Sequence, residues 1–326
     1  MFTTWKRPIR TTVCAMLCAA LFSHAASAAY PDRPVKVVVG YAPGGPTDVV
    51  ARAVFAKVAE QVGQPFIIEN RPGANGNVGM LAVSRSNPDG YTLLYATSGV
   101  ATNPGLYRSE DFDVKSRLIP VSLLASIPQV ILAAPAFKAN DAKSWAEEIR
   151  RHPGEYFYAS SGMGNGNHLA MAVLLDSLNL KAEHVPYKGS SPALTDLMAN
   201  RAQFMFDTVN TTLPMVSSGH LKAIAIGSLE RLPIAPDVPT VSESLKPGFE
   251  VGTWHGLWAP KNTEPEVVDA LNQAVVRALQ DPALRATLEK QGVLIRGTSA
   301  QAFGQYYDGE LARWNAVTEK LGIKPE

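Results

Sequence analysis

One device occurs twice in this chain and limits what it can fold into: a short apolar strand, a loop of small residues, then the start of an amphipathic helix. The first copy is Val35–Val39 (VKVVV), then Gly40-Tyr41-Ala42-Pro43-Gly44-Gly45-Pro46, ending at Thr47-Asp48. Beyond it Val49, Val50, Ala53, Val54, Ala56, Val58 and Val62 recur at helical spacing. The second copy is the strand Tyr156 to Ser160, the loop Ser161 to Asn167 (SGMGNGN) and a helix over 168–178. A β-branched run closed by glycine is a buried strand, and strands alternating with helices call for an α/β architecture.

The remaining pattern extends both units. Strands are expected at 66–69, 91–96, 130–134, 184–186, 203–207 and 222–226, with helices at 48–62, 75–86, 141–151 and 190–199. Strand, helix, strand, helix, strand near the amino end is the signature of a parallel sheet. Amphipathic helices over 264–279, 281–290 and 299–321 form a carboxy-terminal tail. Two α/β units and a tail imply two lobes with a cleft between them.

The first 28 residues belong to neither unit. Lys6, Arg7 and Arg10 precede the apolar stretch 11–22, and Ala26-Ser27-Ala28 supplies a small-x-small site. That is an export signal, cleaved after Ala28 or Ala29. The apolar stretch is shorter than the roughly 20 residues a spanning helix needs. Cleavage removes both cysteines, Cys14 and Cys18, so a disulfide framework or cysteine zinc site is excluded from the mature chain. It also removes three of 30 basic residues, leaving 27 against 29 acidic ones, a net charge of −2. No basic excess marks a nucleic-acid partner.

The chemistry of the two loops is that of anion binding. A helix start presents backbone N–H groups without intrahelical partners at the positive end of the helix dipole, and glycines let an anion come close. Glycine-rich loops with Thr or Asp caps also occur without ligands, so each loop alone leaves both readings open. Neither loop is a nucleotide motif: there is no G-x-x-x-x-G-K-[ST], and GMGNGN lacks the G-x-G-x-x-G spacing. No nucleophile elbow or H-E-x-x-H helix is present, and His152, His168, His184, His220 and His255 are scattered singly. A hydrolytic Ser161–His168 dyad is the enzymatic rival, without an identifiable third group. The residues favour binding without chemistry, no cofactor and no metal.

Several ordered segments together resemble the Bug-type solute-binding receptors of the tripartite tricarboxylate transporters. They are YPDRPVKVVVGYAPGGPTDVVAR, Asn70-Arg71-Pro72-Gly73-Ala74-Asn75-Gly76, Pro88-Asp89-Gly90-Tyr91-Thr92, YASSGMGNGNHLA, HVPYKGSSPALTDLMANRAQFMFD, RLPIAPDVPTVSES and TWHGLWAPKNTEPEVVDALN. The resemblance spans nearly all of residues 30–326. It implies a two-lobed Venus-flytrap periplasmic binding protein, with crossover strands near 120–134 and 222–260 and a helical tail. Lobe 1 is then 29–127 plus 250–326, and lobe 2 is 128–249.

The resemblance also implies a role: holding a small carboxylate (a dicarboxylate, amino acid or aromatic acid) and presenting it to two integral membrane subunits. A sensor kinase is the alternative partner. A ligand carboxylate would be held by backbone amides and waters at Tyr41, Ala42, Pro43, Gly44, Gly45, Pro46, Thr47 and Asp48. The loop with Ser160, Ser161, Gly162, Asn165 and His168 would grip its distal end. Asn75 and Gly76 would sit nearby, and Thr97, Ser98 and Asp207 would line the cleft. Asp207 reads equally as receiver of a ligand ammonium or hydroxyl and as a cap for the segment from Thr208. Lys188 reads as a turn lysine or a cation for the ligand, and Trp254 as hinge core or an aromatic stacker. Two departures from the family pattern are Tyr41, where Phe is more usual, and the amide-rich Asn165-Gly166-Asn167. If the export reading holds, intact-mass measurement of protein recovered from the periplasm gives a chain beginning at Ala29 or Tyr30; an uncleaved mass contradicts it.

Overall fold

The computed structural model describes residues 30–106 and 113–320, with Met1, Phe2 and Gly322. The leader from residue 3, its cleavage sites and both cysteines lie outside the described residues. In the amino-terminal part, β1 (Val35–Val39), α1 (Pro46–Val62), β2 (Phe66–Asn70), α2 (Asn77–Ser84) and β3 (Thr92–Thr97) alternate as the periodicity predicts. The strands run parallel in the order β2-β1-β3. Val35, Val37 and Val39 are fully buried, as are Val50, Val54, Phe55 and Val58 on the inner face of α1. After β3 come the short helices α3 (Gly99–Thr102) and α4 (Val114–Arg117).

The next strand, β4 (Leu118–Ala133), joins the two halves. Over Leu118–Pro128 it pairs antiparallel with β9 (Gly252–Pro260), which also pairs antiparallel with β3. Over Gln129–Ala133 it lies between β7 (Phe204–Thr208) and β8 (Lys222–Ile226), antiparallel to both. The sequence pattern gave only the apolar end of β4. Pro120 and Pro128 lie within it, its register to β9 shifts between Pro120 and Ser122, and prolines argue against a strand. The parallel pattern expected near the amino end holds for β2-β1-β3, and in the second half β5 (Phe157–Ser160) is parallel to β6 (Glu183–Pro186) and β7, while the antiparallel β4, β8 and β9 make the whole sheet mixed.

The second half interleaves these strands with α5 (Ala142–Arg151), α6 (Gly166–Ser177), α7 (Ser190–Met198), α8 (Val209–Ser217) and α9 (Val241–Ser244). Helix α8 was not expected; its sequence VNTTLPMVS is β-branched and carries Pro214, so local propensity hides it. Where β4 changes partners, Gly227 N donates to Gln129 O at 2.6 Å, Gln129 N to Val251 O and Val251 N to Gly227 O. A Cβ on Gly227 would stand 2.5 Å from the Val251 side chain and 2.8 Å from its carbonyl oxygen, so only glycine permits this approach.

The tail, α10 (Pro265–Leu279), α11 (Pro282–Glu289), the short β10 (Leu294–Ile295) and α12 (Ala300–Lys320), packs back on the first half. In α10 Val268, Leu271, Val275 and Ala278 form the buried stripe. α12 lays Phe303 and Tyr307 against Trp258, at ring-centroid distances of 4.6 and 5.0 Å. Trp254 belongs to the same cluster, and its Nε1 donates to Glu310 Oε2 at 3.0 Å, so it is core. A Cβ on Gly256 would fall 2.1 Å from the Phe303 ring. Gly256→Ala should therefore cost about 1–3 kcal/mol, read as a lower midpoint in chemical denaturation; an unchanged midpoint would show that α12 yields freely.

Candidate functional site

A cleft of about 310 Å³ opens where the two halves meet, at the carboxyl ends of their parallel strands. The first half lines it with Tyr41, Pro46, Thr47, Asn75, Thr97, Ser98 and Gly99. The second contributes Ser161, Asn165, Gly166, Asn167, Gly189, Ser190, Asp207 and Thr208. Between them stand Ile127 and Gln129 of β4 and Thr253 and His255 of β9. A larger concavity of about 660 Å³ lies between segment 228–234 and residues 285–296. Its arginines are committed, Arg231 to Glu243, Arg285 to Glu289 and Arg296 to Glu250. The smaller cleft is the candidate site.

Its lining is built from helix starts. Pro46 and Thr47 open α1, Asn165 caps α6, Gly189 caps α7 and Thr208 caps α8. Four helices of eight residues or more thus aim their amino ends at one space. Pro46 has no N–H, so the free donors of α1 begin at Thr47. Each such end is worth about 0.3–1 kcal/mol to an exposed anion and more when partly buried. Among the described residues no Arg or Lys lines the cleft; Lys188 is exposed and stands outside the lining.

The first loop is locked from behind. Asp48 is buried, and its Oδ2 accepts from Gly44 N and Arg52 Nε, both at 2.8 Å, while Oδ1 accepts from Asn70 Nδ2 at 2.9 Å. Asn70 Nδ2 also donates to Tyr41 O. Burial alone would raise the Asp48 pKa, but the Arg52, Gly44 and Asn70 donors outweigh it and hold the carboxyl below the usual range. Asp48 therefore shapes the loop from outside the cleft, and the Gly44 N–H is already used. Tyr41 turns its hydroxyl to Thr97 Oγ1 at 2.6 Å and to the Asn75 carbonyl at 3.3 Å. Asn75, in the left-handed region at φ 49°, is fixed by a chain the sequence did not reveal: its Nδ2 donates to Asn103 Oδ1, and Asn103 Nδ2 to Asn77 Oδ1 at 2.7 Å.

The second loop is tied to its own helix. Ser161 Oγ donates to Asn167 Oδ1 at 3.0 Å and accepts from Asn165 Nδ2 at 3.2 Å. Gly164 N donates to His168 Nδ1 at 3.0 Å, so the His168 proton sits on Nε2. The Ser161–His168 dyad therefore has no geometric basis: each group is committed elsewhere. His168 stacks on His184 at 3.8 Å, and His184 Nε2 shares a hydrogen bond with the fully buried Ser160. Burial pushes His168 down to about 4, and burial with the His168 neighbour pushes His184 to about 3. Both are neutral braces.

Of the expected residues, the cleft brings together Tyr41, Pro46, Thr47, Asn75, Thr97, Ser98, Ser161, Asn165 and Asp207. Ala42, Pro43, Gly44, Gly45, Asp48, Gly76, Ser160, Gly162 and His168 stand behind or beside it. Sequence reasoning missed Gly189 and Ser190, although Gly189-Ser190 after strand 184–186 is a third copy of the strand–loop–helix device. Gln129, Thr253 and His255 reach the site through the register of β4 and β9, which no local pattern gives. His255 Nδ1 shares a 2.7 Å bond with Tyr95 OH, and burial pushes its pKa down to about 3. Asp207 is 5% exposed; its Oδ1 accepts from Thr208 N at 2.7 Å, and its Oδ2 is buried without a partner. The cap of α8 is Thr208, so the capping role does not fall to Asp207.

Comparison with known proteins agrees with the two-lobed fold. Residues 50–323 match the family model described as the tripartite tricarboxylate transporter family receptor. The periplasmic binding protein BugD is 35% identical, with a TM-score of 0.79 over 91% of this chain and 100% of its own. A protein of R. palustris solved with adipate is 30% identical, with a TM-score of 0.82 over 91% of this chain and 100% of its own. MatC of Rhodopseudomonas palustris, solved with bound malate, is 34% identical, with a TM-score of 0.77 over 89% and 100%.

The Asp48 linkage has a defined pH signature. Because the folded-state pKa is depressed, its stabilisation is present above the unfolded value near 4 and is lost as pH falls through the folded one. Asp48→Asn should cost about 1–3 kcal/mol at pH 7, and the gap from the parent should close in acid. Urea denaturation at pH 7 and pH 3 reads both; a gap that is equal at the two values rules the linkage out.

Proposed function

The chain belongs to the tripartite tricarboxylate transporter family of receptors, and from that premise we propose that it captures a small carboxylate in the cleft and delivers it to the transporter's two integral membrane subunits. The observation that carries this reading is the meeting of four helix starts in a cleft whose described lining has no Arg or Lys. One ligand carboxylate sits at the start of α1, facing Thr47, with Tyr41, Asn75, Thr97 and Ser98 around it. Bridging waters complete its coordination, which costs little affinity. The rest of the ligand reaches the wall formed by Ser161, Asn165, Ser190 and Asp207.

The same reading assigns the lobes as 29–127 with 250–326, and 128–249, dividing where β4 exchanges β9 for β7 and β8. Ligand binding draws the lobes together, because only the closed cleft lets both sets of helix starts touch one solute. The receptor works in the periplasm, the compartment named for BugD. Among the described residues no helix is long and apolar enough to cross a membrane. The chain is a receptor rather than an enzyme.

A thermal-shift panel of dicarboxylates, hydroxy acids, amino acids and aromatic acids tests this. Ligand at 100 times its Kd adds about 2.7 kcal/mol, a shift of several degrees. Thr47→Pro, which removes the first free donor of α1, should abolish that shift. No response to any carboxylate at millimolar concentration would sink the proposal.

A further inference from the structure

We propose that Asp207 and the distal carboxylate of a dicarboxylic ligand share a single proton, so that capture of the dianion takes up one proton from solvent. The inference rests on the carboxylate-receptor reading and deepens it by naming the ligand class. Asp207 is the only acidic side chain in the described lining of the cleft, and its Oδ2 is buried without a hydrogen-bond partner. Gln129, 4% exposed, also presents an unpartnered Oε1. Two buried, unsatisfied polar groups in one cavity mark a place built for a polar group that arrives with the ligand.

The class of that group follows from what surrounds it. The starts of α6, α7 and α8 face the cleft from the second half, so the field on this wall favours negative charge. Asp207 already occupies part of that field. The other titratable groups facing the cleft are His255 from β9, neutral by burial, and Tyr41 from the first loop, bonded to Thr97. α7 and α8 present only the Ser190 and Thr208 hydroxyls, and β4 the Gln129 amide. Two carboxylates brought together here meet no cationic side chain among the described residues. Like charges so close cannot both stay ionised, and one proton between them turns repulsion into a short charge-assisted O–H···O bond. Burial already pushes the Asp207 carboxyl up, against the Thr208 N–H that Oδ1 accepts.

The proton balance is simple: ligand dianion, receptor and one proton give a complex in which Asp207 Oδ2 and a ligand oxygen hold that proton. Isothermal titration of the mature chain with adipate, malate and succinate, in buffers of different ionisation enthalpy from pH 5 to 9, counts it. The expected result, where free Asp207 is ionised at the alkaline end, is uptake approaching one proton per dicarboxylate, with affinity falling toward tenfold per pH unit; at lower pH Asp207 brings the proton itself and uptake falls away. Hexanoate, lacking the second carboxylate, should bind without uptake. Asp207→Asn, a permanent amide donor, should bind the dicarboxylate without uptake and at least tenfold more tightly than the parent at pH 9. Dicarboxylate binding at pH 9 with no proton uptake overturns the inference, as does uptake that persists in Asp207→Asn. Proton release, with affinity rising with pH, overturns it as well. If the wider panel binds but no dicarboxylate does, this inference falls and the receptor reading stands; if no carboxylate binds, both fall.

Discussion

Strand β4 belongs to both halves of the molecule, and that sharing decides where everything else sits. One end is fixed against β9 and the other between β7 and β8, with Gln129, Gly227 and Val251 bonded to one another at the exchange. The parallel strands on either side then end toward a common space, and the helices that follow them must start there. No separate selection of cleft residues is needed to gather α1, α6, α7 and α8; the topology does it. α12 packs behind β9, so Trp254 and Trp258 are buried against it rather than lining the cleft.

A site made of helix starts recognises charge without naming it through side chains. Single dipole ends are weak, but their donors are pre-aimed and their loops are held by bonds made outside the cleft. Asp48 is the clearest case. It is a buried carboxylate beside an anion site, which would be self-defeating if its charge faced the ligand. Its oxygens are instead consumed by Arg52, Gly44 and Asn70. Arg52 is half-exposed, so the pair contributes less through Coulomb energy than through geometry. The loop is thereby fixed before the ligand arrives, and less ordering has to be offset on binding.

Local pattern made most elements legible, because strand period, glycine punctuation and amphipathic stripes are written in short segments such as VKVVV and the α10 stripe. What it hid depends on long-range pairing. The proline-bearing start of β4 forms a strand only because β9 lies beside it, and α8 survives Pro214 because β4, β7 and β8 pack around it. In the site, Tyr41, Thr47 and Asn165 were readable since they sit in the loops themselves. Gln129, Thr253 and His255 were not, since a register decides which strand residue faces a cleft. Asn103 and Asn77 were hidden for a related reason: a hydrogen-bond chain joins positions that no spacing relates.

The halves also touch beside the cleft. Gly164 lies against Leu106, where a Cβ would come within 2.4 Å, and Lys320 pairs with Asp176 at 2.5 Å on the surface. An exposed ion pair contributes about 0–1 kcal/mol. On the proposed reading, a ligand that bridges α1 to α6, α7 and α8 interacts with both halves only when they are close, and its differential affinity would shift the population. Without residues 1–28 the chain would carry a net charge of −2, and attraction of an anion over long distances would be weak. On the proposed reading the work of recognition then falls to the short-range field inside the cleft.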